Sequence, residues 1–71
     1  MNVKLVYMGS FENELNGNKY NISRFITENL QILYGTNLET KEPLKDGQIY
    51  ICKIAIKRNK LIVQEIIKSY Q

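Results

Sequence analysis

Residues Gln48 to Ile67 read QIYICKIAIKRNKLIVQEII, and the alternation inside this stretch decides the fold class. Tyr50, Cys52, Ile54 and Ile56 take turns with Ile51, Lys53, Ala55 and Lys57. That period places the two sets on opposite faces of a strand. After Arg58-Asn59 the apolar character resumes from Leu61 to Ile67. If Arg58-Asn59 is the loop of a β-hairpin, Ile56 opposes Leu61 and Ile54 opposes Val63, which puts all four on one buried face. Asn59 suits such a loop because asparagine tolerates a positive φ.

A second hairpin is centred on Asn16-Gly17, the dipeptide preferred in type I′ turns. Pairing outward from it sets Glu14 against Lys19, an opposite-charge pair, and Phe11 against Ile22, with Tyr7 near Ile26 on an apolar face. Gly9 falls inside the long first strand, where a glycine marks a bulge or a barrel corner.

Residues 22–34 support two readings. Ile22, Phe25, Ile26, Leu30 and Leu33 fit a helical stripe, with Ser23 as a cap and Gly35 as a stop. As strands, Tyr20-Ile22-Arg24-Ile26 and Leu30-Ile32-Tyr34 alternate about a Thr27-Glu28-Asn29 turn. The strand reading continues the hairpin already argued and is preferred, with a short helix within residues 23–33 as the alternative. Gly35 to Gly47 holds Pro43 and Asp46-Gly47 and has no sustained period, so it reads as a long loop, either functional or mobile. The expected fold is mainly β: a small antiparallel five-stranded barrel, SH3-like or OB-like, built as a single domain over residues 1–71.

Composition narrows the function. The chain has 71 residues, 44% of them hydrophobic, and a net charge of +3. One cysteine, Cys52, excludes an internal disulfide, and the absence of histidine removes the usual zinc sites and the common general base near neutral pH. Cys52 alternates with Tyr50 and Ile54 and reads as a small buried hydrophobe. Glu12 and Glu14 resemble a carboxylate pair but flank a turn, so they read as the solvated side of a hairpin. There is no glycine-rich phosphate loop. The expectation is a protein that is not an enzyme and that needs no cofactor and no metal.

No uncharged apolar run exceeds four residues, far short of the about 20 that cross a membrane. The N-terminus lacks the pattern of a signal peptide, so a cytoplasmic protein without a membrane partner is expected. Ten isoleucines, eight lysines and eight asparagines favour A/T-rich codons, a bias that suits a phage or mobile-element gene.

Charge is uneven along the chain. Residues 1–46 carry five basic and six acidic groups, whereas residues 47–71 carry Lys53, Lys57, Arg58, Lys60 and Lys68 against Glu65 alone. Lys53 and Lys57 share an outer strand face with Ile51 and Ala55, and Arg58 and Lys60 lie at the turn. This mixed apolar and basic face predicts a binding module acting through a protein–protein interface. Its partner would be a larger host protein that it regulates or inhibits, and an exposed edge strand would also allow a homodimer. The alternative is nucleic-acid binding by the basic C-terminal hairpin, with Tyr20, Tyr34 and Tyr50 available to stack bases.

Overall fold

The computed structural model describes residues 1–70 and shows five strands: β1 (Asn2–Leu15), β2 (Asn18–Ile26), β3 (Ile32–Thr36), β4 (Ile49–Lys57) and β5 (Lys60–Ser69). All pair antiparallel in one sheet of order β3-β2-β1-β4-β5. Both expected hairpins form. Asn16 and Gly17 have φ of 53° and 81°, and Arg58 and Asn59 have φ of 53° and 64°, the positive values of a type I′ turn. Glu14 opposes Lys19 and Phe11 opposes Ile22; Ile54 opposes Val63 and Ile56 opposes Leu61.

No helix forms among the described residues, so the stripe through residues 23–33 is not helical. Pairing splits it. Phe25 and Leu33 turn inward as cross-strand partners, while Ile26 and Ile32 pair on the opposite face. Gly35 and Thr36, expected to open the long loop, belong to β3.

Gly9 is a bulge, with φ of 104° and a shift of register between Tyr7 and Ser10. The shift moves Tyr7 opposite Phe25 rather than Ile26, so Tyr7 and Phe11 point to opposite faces. A Cβ added at Gly9 would meet only Asp46 Oδ1, at 3.8 Å, which is ordinary contact. The cost of Gly9→Ala is therefore conformational, and we expect about 1–2 kcal/mol. Urea unfolding should show it as a lower midpoint at unchanged slope.

The concave face holds the core: Leu5, Tyr7, Phe25, Leu33, Tyr50, Cys52 and Val63, flanked by Val3, Leu38, Leu44, Ile54 and Ile66. The Tyr7 ring lies edge-on to Phe25 at 5.5 Å and to Tyr50 at 6.4 Å between centroids. Both tyrosine hydroxyls are satisfied, as most buried polar groups are. Tyr7 bonds Ser10 Oγ, which in turn lies 3.0 Å from Ser23 Oγ, and Tyr50 accepts the Lys45 amide at 2.9 Å. Leu38 and Leu44 reach the core from the loop between β3 and β4. Backbone bonds from Asn37 to Asn21 and from Gly47 to Tyr7 hold that loop down.

Strand β5 carries two register shifts against β4, between Ile51 and Cys52 and between Lys53 and Ile54. Such bulges add twist, and the sheet coils until β5 approaches β3: the Val63 carbonyl oxygen stands 3.1 Å from where a Cβ on Gly35 would lie. The two strands do not pair, so the sheet stays open and the barrel expected from the sequence is not closed.

Strand β1 pairs with β4 only as far as Asn2 opposite Lys53. Beyond that point β4 and β5 continue as a two-stranded arm, with no further strand beside it among the described residues. Ile56 and Leu61, expected to be buried, are 74% and 39% exposed for this reason.

Candidate functional site

Cross-strand pairing places a single array on the convex face. Arg24 on β2 opposes Tyr34 on β3, and Ile22, two residues away, opposes Phe11 on β1. Alternation adds Tyr20 from β2 and Met8 from β1 to the same face. Phe11, Tyr34 and Met8 are 42%, 46% and 48% exposed. The Arg24 guanidinium lies 5.5 Å from the Phe11 ring centroid, within cation–π range. Its Nε is buried and has no hydrogen-bond partner among the described residues, leaving a donor uncommitted.

An aliphatic belt runs beside this array, Ile32, Ile26, Val6 and Ile49, each the cross-strand partner of the next. It ends at Tyr70, whose amide donates to the Ile49 carbonyl. Past the belt the face becomes basic: Lys4 and Lys68 flank Ile51, and Lys53 opposes Glu65. The Lys4 ammonium sits 4.0 Å from the centre of the Tyr70 ring. A hydrogen bond between the two raises the Lys4 pKa and lowers that of Tyr70.

Of the residues singled out in the sequence, Ile51, Lys53, Ala55 and Lys57 do share one face, opposite the inward Tyr50, Cys52 and Ile54. Ile51 and Ala55 are half-buried on that face. Lys57, Arg58 and Lys60 are exposed at the tip of the arm. Of the tyrosines considered for stacking, Tyr34 is exposed, Tyr20 half-buried and Tyr50 buried in the core. Cys52 is fully buried, and burial pushes its thiol up to about 11, so it behaves as a hydrophobe. Glu12 and Glu14 oppose Asn21 and Lys19 on an exposed hairpin.

Phe11, Met8 and Arg24 are not legible as site residues in the sequence. Counting from the Asn16-Gly17 turn puts Phe11 on the Tyr7 face, and only the Gly9 bulge sends it outward. The signal present is the glycine itself.

No family model, no curated protein and no solved structure matches this chain.

Proposed function

We propose that this protein is a non-enzymatic binding module whose convex face takes single-stranded nucleic acid. The observation that carries this reading is the exposed array of Phe11, Arg24 and Tyr34 on three adjacent strands. Unpaired bases stack on exposed rings and on guanidinium planes without regard to sequence, and cations beside the rings track the backbone. Lys4, Lys53 and Lys68 supply such cations on the same face, against Glu65. The strand order, with β1 shared by two halves and bent at a glycine bulge, supports reading the coil as a partly open Greek-key barrel of OB type. In that architecture the face over the second and third strands is a binding surface for oligonucleotides. Fold analogy alone does not transmit function, so the weight rests on the side chains.

Met8 and Ile32 are aliphatic and exposed on the same face, which favours the second reading, a protein partner such as a host protein docking there. The two are separated by anisotropy of a fluorescein-labelled oligothymidylate, with the matching duplex as comparison. We expect the single strand to bind more tightly, and salt to weaken binding steeply. Phe11→Ala with Tyr34→Ala should weaken it by about 1–3 kcal/mol for each base stacked, while the fold survives because both rings are exposed. Exchanging Lys4, Lys53 and Lys68 for Gln should lower the logarithmic salt slope by about 0.7 for each phosphate no longer neutralised. Absence of binding at low salt, or an unchanged affinity in the double aromatic variant, rejects the nucleic-acid reading and leaves the face to a protein.

A further inference from the structure

Each end of the coiled sheet carries a cleft. The one under the β3–β4 loop, about 990 Å³, is flanked by β5, and Leu38 and Leu44 reach the core there. At the other end a cleft of about 530 Å³ is lined by Val3, Lys4, Leu5, Leu33, Ile54 and Leu61, with Thr27, Glu28 and Asn29 along one rim and Glu28 within Coulombic range of Lys4. The β2–β3 turn therefore forms one flank of the cleft and the β4–β5 arm forms the other. Ile56 extends the apolar side of the arm past the cleft, 74% exposed.

The flanks are complementary to each other. The turn carries one acid, Glu28, and ends in Leu30, 77% exposed. Leu30 has φ of 67°, a conformation that bulky side chains rarely adopt. It is not loose: the Thr27 carbonyl accepts the Leu30 amide at 3.0 Å, and Thr27 Oγ1 accepts the Gln31 amide at 2.9 Å. A rigid turn thus holds a bulky apolar group out into water beside an acid. The arm opposite carries Lys57, Arg58 and Lys60 at its tip and the apolar Ile54, Ile56 and Leu61 behind it.

We propose that this end of the molecule binds a second copy of the chain. A two-fold axis through the cleft sets each turn against the partner's arm, as an isologous interface requires. Leu30 then enters the apolar end of the other copy, and Glu28 meets the cations of its arm tip. Two arms laid tip to tip would oppose like charges, so charge selects the turn-to-arm arrangement. The proposed contacts are Leu30, Glu28 and the arm tip rather than the rings of the convex array, and the inference does not depend on the nucleic-acid reading.

Sedimentation equilibrium over a concentration series tests it. The apparent mass should rise from 8.3 kDa toward twice that value, less readily at high salt. Leu30→Asn is the decisive variant, because asparagine tolerates the left-handed backbone and the fold should be kept or strengthened. It should weaken dimerisation about tenfold or more, as removal of a central anchor does. Glu28→Lys and the pair Lys57→Glu with Arg58→Glu should each dissociate when alone, yet form a mixed dimer when combined. A chain that stays monomeric throughout overturns the proposal. So does a dimer that survives Leu30→Asn and both charge exchanges, which would place the interface elsewhere, for example along an edge strand.

Discussion

Phe25→Ala is expected to leave the chain largely unfolded at room temperature. Phe25 has no exposed surface and belongs to the core, with the Tyr7 ring edge-on at 5.5 Å. Removing such a ring costs about 3–5 kcal/mol, because the transfer energy is forfeited and the cavity refills only in part. A domain of this size has a total stability of roughly 4–11 kcal/mol and lies toward the weak end of that range, since little of its surface is buried. Cost and total are then of similar size. The truncation also takes away the ring that orients Tyr7, whose hydroxyl organises Ser10 and Ser23 across β1 and β2. Circular dichroism and urea unfolding would register the change, and a midpoint shift worth less than about 1 kcal/mol would contradict the packing described. Ile56→Ala is the internal comparison: that side chain is 74% exposed, so its truncation should fall within about 0.5 kcal/mol of neutral.

Gly35→Ala is expected to destabilise by about 1–3 kcal/mol through overpacking, although alanine is the smallest change available. A Cβ there would lie 2.5 and 2.9 Å from Leu38 Cδ1 and Cγ, and 3.1 Å from the Val63 carbonyl oxygen. The leucine is able to swing aside; the carbonyl belongs to β5 and moves only if β5 moves. Two sources of cost are thereby separable. In a Leu38→Ala background the first clash disappears, and Gly35→Ala should cost less there than alone. The remainder measures the force that holds β5 against β3. Costs that merely add would show that Leu38 is not the obstacle, since neighbouring residues that truly touch give non-additive cycles. Gly35→Val should exceed the alanine value in either background, as its two branches meet the same walls.

Much of the sheet is legible in the sequence because the deciding signals are local. Asn16-Gly17 and Arg58-Asn59 each close a turn between alternating runs, and each turn fixes its own register outward. Glu14 opposite Lys19 and Ile54 opposite Val63 follow from counting. Counting fails where a residue is skipped. Gly9 signals a bulge, but its effect on parity depends on how β1 meets β2 beyond it, and that sends Phe11 to the convex face instead of the core. Ile56 and Leu61 fail differently: their inward parity is right, yet no described strand or loop covers them because β1 ends its pairing at Asn2. Alternation reports which way a side chain points. It does not report whether anything is there to cover it.

The candidate surfaces divide along the same line. The sequence alone located the charge imbalance, with Lys53, Lys57, Arg58 and Lys60 gathered in the last third of the chain, because charge is a property of composition. It also determined the two hairpins and their registers beside the turns, since turn chemistry and period-2 alternation act over a few residues, while residues 22–34 stayed open between strand and helix. The tertiary structure decided that Arg24, Phe11 and Tyr34 form one array, that Leu30 stands exposed on a hydrogen-bonded turn, and that a cleft lies between that turn and the β4–β5 arm. The array rests on the Gly9 bulge and on the pairing of β2 with both β1 and β3, and the cleft rests on the pairing of β1 with β4 and the bulges that coil β5 toward β3, contacts that neither turn chemistry nor alternation specifies.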